Sequence, residues 1–259
     1  MVKIEHGVEK YLEYLKNVKR RSEGTIKQYK SILKNFEKFP LSEEGFHEYL
    51  RSISMNSPRT QQLKIVAVKG YLNWLYDRGK IEGKRFWLEA EPPKEKALPH
   101  YLTMEELRRF FNVIDDPYFR SIFRLLVNTG MRVSELYNMK SSDITFTGDR
   151  ARIRIRGKGS KERVVQVKRK IAEDAIENGI FEKKVSIRTI QRRMKKYLKI
   201  AGINKKLTPH SLRHTFAIIL MENGVPLNRI QAILGHESIA TTSIYLKLLA
   251  EGESLPEII

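Results

Sequence analysis

The stretch Thr208-Pro209-His210-Ser211-Leu212-Arg213-His214 is followed by an apolar helical run, by Leu234-Gly235-His236 and, nine residues later, by Tyr245. Half of the six histidines fall between Thr208 and Tyr245. Proline suits the first position of a helix, so Thr208-Pro209 reads as a helix start. Residues three apart on a helix share a face, and His210 and Arg213 are therefore expected to point at one ligand. Imidazole, guanidinium and phenol together can hold and attack a phosphate.

Two further pieces lie upstream. Thr129-Gly130-Met131-Arg132-Val133-Ser134-Glu135-Leu136 closes an apolar helix, and Gly157-Lys158-Gly159-Ser160-Lys161-Glu162-Arg163 separates two alternating strands. Together with His210-Ser211-Leu212-Arg213, Leu234-Gly235-His236 and Tyr245, these pieces stand in the order of the tyrosine site-specific recombinases, the phage integrase family, which the chain resembles. It leans towards the Xer type and its archaeal branch, because it begins directly with a helical bundle and shows no additional arm-binding domain.

The resemblance implies a fold that is mainly α with a small antiparallel β-sheet. A SAM-like helical core-binding domain over residues 1–90 is expected to bind DNA. A linker over 91–99 leads to a mixed α/β catalytic domain with a C-terminal tail over 100–259, the whole forming a C-shaped clamp. It also implies transesterification, in which Tyr245 attacks the scissile phosphodiester to leave a 3′-phosphotyrosine and a free 5′ hydroxyl. Arg132 and Arg213 would hold the non-bridging oxygens, and Lys158 would protonate the departing oxygen. His210 would act as base or donor beside Tyr245, His236 would donate to a phosphate oxygen, and Glu135 would orient its neighbours. No ATP, cofactor or metal is implied. The implied partner is double-stranded DNA, bound by a homotetramer on two sites through exchange of C-terminal tails, with a monomer or dimer in the absence of DNA and no membrane. Ser243-Ile244-Tyr245-Leu246-Lys247 departs from the Tyr-Thr-His that commonly surrounds the nucleophile in relatives, while the offset from His236 fits. Resolution of chromosome dimers at a dif-like site is the expected role, in the cytoplasm at the nucleoid.

Composition points the same way without the resemblance. The net charge is +19, from 49 basic and 30 acidic residues, which suits a polyanionic partner. Residues 1–90 carry 18 basic against 11 acidic groups and the remainder 31 against 19. Both halves are basic, as expected of two lobes closing on one nucleic acid. The absence of cysteine excludes disulfides and thiolate metal sites. No run approaches the ~18 apolar residues of a membrane span, and Met1 to His6 lacks the apolar core of a secretory signal.

In chain order, helical spacing of apolar residues predicts four helices: Val8 to Val18, Ser22 to Phe36, a third after Ser42, and a fourth opened by Ser57-Pro58 and closed by Asp77-Arg78-Gly79. Short connections make these a bundle. Its cations, among them Lys19, Arg20, Arg21 and Lys69, need not all contact DNA and most read as solvated surface, with Lys27, Arg59 and Lys64 as candidate DNA contacts. Glu89 to Pro99, with three prolines, reads as an extended linker, and the boundary falls near residue 96. Thr103 to Glu106 forms a capping box. A buried helix follows Pro117 and stops at Asn128-Thr129-Gly130, with Arg132 directly after the stop and Glu135 beside it. Ala151 to Arg156 and Arg163 to Val167 alternate as half-buried strands joined by a glycine-rich turn that carries Lys158. Ser186 to Ile200 has one apolar stripe surrounded by cations, of which Arg188, Arg192, Arg193 and Lys196 are candidate phosphate contacts.

Other classes remain open at this point. His210 and His214 have the spacing of a metal-binding pair, with His236 as a third ligand, but no His-Glu-x-x-His pattern exists and dense positive charge repels a divalent ion. A non-catalytic DNA-binding protein, a topoisomerase-like nicking and resealing enzyme and a mobile-element integrase would share much of this sequence.

Overall fold

A computed structural model describes residues 7–93, 100–157 and 162–235. The chain divides into two compact units, residues 1–97 and 98–259.

In the first unit the helices are α1 (Gly7–Asn17), α2 (Glu23–Phe36), α3 (Glu43–Ile53) and α4 (Pro58–Tyr76). Three of them start as the sequence dictates, because Ser22, Ser42 and Ser57 each accept a hydrogen bond from the amide three residues on. That bond satisfies one of the donors every helix start leaves open. Their apolar stripes meet in a core built on Leu33, Phe46, Tyr49, Val68, Leu72 and Leu75. A 3₁₀ turn over Phe86–Glu89 completes that core. Trp87 is fully buried and donates from Nε1 to Asn73 Oδ1 at 2.8 Å. Lys69 Nζ donates to the carbonyls of Leu88 and Ala90 at 3.1 and 2.9 Å.

Ala90 thus packs against the bundle, and Lys69 is a structural tie. The four-residue turn is too short to show a hydrophobic period, which is why the sequence reading passed over it.

The second unit opens with α5 (Met104–Asn112), whose capping box pairs Thr103 with Glu106. Next come the buried α6 (Pro117–Thr129) and the short α7 (Val133–Asn138). The strands β1 (Ile144–Thr147), β2 (Arg150–Arg156) and β3 (Glu162–Lys168) form one antiparallel sheet in that order. The helices α8 (Arg169–Glu177), α9 (Ile187–Ile200), α10 (Pro209–Glu222) and α11 (Leu227–Leu234) follow. Strand alternation sends Ala151, Ile153, Ile155, Val165 and Val167 into the core and Arg152 and Arg154 to the surface. Helix α6 is the centre of the unit: Phe119, Ile122, Phe123, Leu125 and Leu126 are all buried, and it packs against α8, α10 and β3. The sequence reading did not anticipate β1 or α8. The first is four residues long, and the second follows β3 with no glycine or proline to mark a break.

Among the described residues, no helix is long and apolar enough to cross a membrane.

Candidate active site

Arg132 is the N-cap of α7, and its position follows from the end of α6. Gly130 ends that helix in the left-handed region, at φ 61°. A β-carbon there would lie 2.4 Å from Phe216 Cδ1 on α10 and 2.7 Å from Leu234 Cδ2 on α11. Only glycine accepts both the backbone angle and this close approach. The chain then turns into α7, where Glu135 Oε2 accepts from the Arg132 amide at 2.8 Å. The Arg132 guanidinium donates from Nη1 to Glu135 Oε1 at 2.9 Å, with 39% of its side chain exposed. It is anchored at one end and open at the other.

Glu135 is shared. Arg163, on β3, donates from Nη1 to Oε1 at 3.1 Å and from Nη2 to Oε2 at 2.7 Å. The side chains of Glu135 and Arg163 are only 5% and 11% exposed. Burial by itself would raise the Glu135 carboxyl. The Arg163 hydrogen bonds, the Arg132 amide and the two guanidinium charges outweigh it and hold the group below its ordinary value. The carboxylate thus accepts four hydrogen bonds and carries one negative charge between two positive ones.

Arg213, on α10, is 1% exposed. It donates from Nη1 to the Gly130 carbonyl and from Nη2 to the Leu234 carbonyl, both at 2.7 Å. One planar fork therefore joins the backbone just before Arg132 to the backbone just before His236. Gly235 ends α11 at φ 66°, and a β-carbon on it would meet Arg163 Cδ at 3.3 Å. The α6–α7 corner, β3, α10 and the end of α11 are held together by the guanidinium groups of Arg163 and Arg213.

His210 is exposed on the first turn of α10, its ring edge-on to that of His214 with centroids 4.7 Å apart. Three residues of helix leave two side chains about 60° apart, and here that is enough to turn Arg213 inwards and His210 outwards. Lys158, His236 and Tyr245 lie outside the described residues. Among the described residues, no group of three or more histidine or acidic side chains is arranged to hold a metal ion.

The candidate DNA contacts separate into kinds. On α9, Arg188, Arg192 and Lys196 are exposed, and the helix, which contains no acidic residue, is seated by Ile190, Met194 and Tyr197. The Tyr197 hydroxyl donates to Asp115 Oδ1 at 3.0 Å, fixing which side faces out. Arg193 instead lies over the Phe119 ring, 5.1 Å from its centroid, so its charge also serves the core's edge. In the first unit Lys27 and Arg59 are exposed, while Lys64 is half-buried in a cleft.

Arg163 is the residue the sequence reading left without a role. A signal for it existed: it has the same strand parity as the buried Val165 and Val167, and an arginine on a core face needs a partner.

Residues 100–251 match the phage integrase family. The tyrosine recombinase XerA of Thermococcus onnurineus (strain NA1) is 35% identical, over 97% of this chain and 94% of that one. The tyrosine recombinase XerC of Caldanaerobacter subterraneus subsp. tengcongensis is 30% identical, over 92% and 82%. Among solved structures, a XerA recombinase crystal structure is 30% identical, with 98% and 99% coverage and a TM-score of 0.52. The XerH site-specific recombinase bound to a palindromic difH substrate shares the fold at 22% identity, with 97% and 84% coverage and a TM-score of 0.77.

Proposed function

The chain belongs to the phage integrase family, as a Xer-type tyrosine recombinase, and from this premise we propose how its residues divide the work of cutting and rejoining duplex DNA. The observation that carries the reading is the Arg213 fork between the Gly130 and Leu234 carbonyls. It supports an active site assembled from three motifs that are far apart in sequence.

Tyr245 is the nucleophile. Its phenolic oxygen attacks phosphorus, its proton passes to His210, and the bond to the 5′ oxygen breaks. Lys158 gives that oxygen a proton, so the products are a 3′-phosphotyrosine and a 5′ hydroxyl. The bond energy stays in the protein–DNA link, and a phenolate leaves readily when the strand is rejoined. Arg132 and Arg213 stabilise the charge on the pentacoordinate phosphorus, for which guanidinium suits because it stays charged and matches phosphate oxygens. His236 donates to a non-bridging oxygen. Glu135 and Arg163 do not touch the substrate; they are positioning residues that fix Arg132 against the end of α11.

The first unit is the core-binding domain and the second the catalytic domain, with α9 laying cations along the duplex. Four protomers on two duplexes exchange apolar C-terminal segments, Leu246 to Ile259. A groove of about 430 Å³ within the second unit, with Met104, Leu107, Phe111, Val127 and Phe216 on its walls, supports such docking. The biological substrate is a dif-like chromosomal site, in the cytoplasm.

The test is to incubate the protein with fragmented genomic DNA of its host, isolate SDS-resistant adducts and sequence the trapped DNA, with Tyr245→Phe in parallel. Adducts that require Tyr245 and gather at one chromosomal palindrome are expected. Adducts at a mobile element would replace dimer resolution by integration. Equal adducts from the variant would remove Tyr245 from its role.

A further inference from the structure

The two strands that flank Lys158 end in a cluster of charged side chains outside the site described above. Strand alternation turns Arg150, Arg152, Arg154 and Arg156 outwards from β2. Among the described residues, Arg150 pairs only with its neighbour Asp149, and Arg152 and Arg154 make no ion pair. Arg156, the last residue of β2, is different. Its Nε donates to Glu162 Oε1 at 3.2 Å, directly across the ladder on the first residue of β3. Its Nη2 lies 2.9 Å from Oδ1 of Asp143, in the 3₁₀ turn Ser141–Asp143 that precedes β1.

Asp143 shows why that guanidinium is held. Its side chain is only 5% exposed, and its Oδ2 accepts from the Lys140 amide at 3.0 Å. Among the described residues, Arg156 is the one cation paired with it. A buried carboxylate stripped of its partner is costly, so Arg156 cannot swing away from the turn without that cost.

Neighbouring residues of a strand point to opposite faces. Glu162 therefore meets Arg156 on the outer face, while Arg163, next to it, reaches Glu135 on the other. The start of β3 is tied on one side to the carboxylate that holds Arg132 and on the other to Arg156. Lys158 itself lies outside the described residues. Covalent geometry keeps its Cα within roughly 7 Å of that of Arg156, two residues away. The glycines on either side of it are the residue type that restrains a backbone least, so the restraint has to come from the ends of β2 and β3.

We propose that Arg156 is a positioning residue for proton transfer to the leaving oxygen, acting through Lys158 and held by Asp143 and Glu162. This role rests on the reading of Lys158 as the proton donor. In that step the bond between phosphorus and the 5′ oxygen breaks and its electron pair stays on the oxygen. The Lys158 ammonium gives that oxygen a proton and becomes a neutral amine. Such general-acid catalysis contributes roughly 10²–10⁴-fold, and a displacement of about 1 Å forfeits roughly 10²-fold.

The experiment uses the full chain with two duplexes that carry the site recovered from the trapped adducts, one ordinary and one with sulfur in place of the bridging 5′ oxygen at the scissile phosphate. A thiol ionises near pH 8.5, about the value of cysteine and far below an alcohol, so a thiolate departs without a proton. Arg156→Gln is expected to form Tyr245 adducts roughly 10²-fold more slowly than wild type on the ordinary duplex and at the wild-type rate on the sulfur duplex. Lys158→Ala is expected to show the same contrast, and the double variant to be no slower than Lys158→Ala alone. Duplex affinity and its salt slope are expected to stay unchanged in Arg156→Gln. An equal loss on both duplexes, or no loss on either, overturns the proposal. So does a salt slope smaller by about 0.9, the mark of a lost phosphate contact. The premise is read separately. If Lys158→Ala stays slow on the sulfur duplex, Lys158 is not the proton donor and the proposal falls with it; if sulfur restores Lys158→Ala but not Arg156→Gln, the proposal alone is overturned. Should Arg156→Gln fail to fold, Glu162→Gln, whose side chain is half-exposed, is expected to show the same oxygen-only loss at smaller size. Loss on both duplexes or on neither overturns the proposal there as well.

Discussion

Replacing Arg163 by alanine tests the linkage between packing and catalysis most directly. The substitution removes the two bonds of 3.1 and 2.7 Å that Arg163 gives Glu135, and leaves the carboxylate with only the Arg132 amide and Nη1. Breaking a buried ion pair from one side costs about 3–5 kcal/mol. Half of the carboxylate's hydrogen bonds survive, so the expected loss is at the lower end, about 3 kcal/mol. For a unit of this size that corresponds to a fall in Tm of roughly 6–12 °C. The catalytic effect is separate. Glu135 is what holds the Arg132 guanidinium, and a misplacement of about 1 Å in such a group costs roughly 10²-fold in rate.

The assay is the first-order rate of Tyr245–DNA adduct formation at saturating duplex, well below the variant's Tm, with duplex affinity measured alongside. The expected result is a rate roughly 10²-fold lower at nearly unchanged affinity. Arg163→Lys should recover only part of it, because one ammonium cannot span both carboxylate oxygens. Titration with acid gives a second reading. The folded-state pKa of Glu135 is depressed, so its contribution to stability is complete above the unfolded value of about 4.3. That contribution is lost as pH falls through the lower folded value. Without Arg163 the depression shrinks, so the stability gap between variant and wild type should narrow below about pH 4. A wild-type cleavage rate with a lowered Tm would reduce Arg163 to a structural tie. An unchanged Tm would refute the shared carboxylate altogether.

Neutralising the exposed side of α9 by Arg188→Gln, Arg192→Gln and Lys196→Gln should weaken duplex binding regardless of sequence. The slope of log K against log salt should fall by about 0.9 for each phosphate contact removed; a slope that does not change would take α9 off the DNA. Truncation after Lys247 should spare duplex binding and Tyr245 adducts but abolish synapsis of two duplexes, as read by native gel shift. Intact synapsis would argue against tail exchange.

The sequence was sufficient wherever a local rule acts alone. Serine caps, the Thr103–Glu106 capping box, Pro117, Gly130 and the alternation of β2 set element boundaries through bonds and angles that involve only near neighbours. Order and spacing of the motifs were sufficient for the family, because five pieces in one order are a one-dimensional pattern. Short elements escaped: the turn at Phe86–Glu89 and strand β1 contain too few residues to express a period, and only burial of Trp87 and pairing with β2 give them form.

Which side chains meet was decided by tertiary structure. Helical spacing put His210 and Arg213 on one face, and the folded chain decided that Arg213 is buried against the Gly130 and Leu234 carbonyls while His210 is exposed. Glu135 beside Arg132 was legible at three residues' distance. Its second partner, 28 residues away on β3, was not. The sequence by itself determined the elements, the positive charge and the set of chemical groups, since these follow from composition and local geometry. Only the folded chain decided which groups are buried and paired, because desolvation and ion pairing depend on distances that no spacing along the chain encodes.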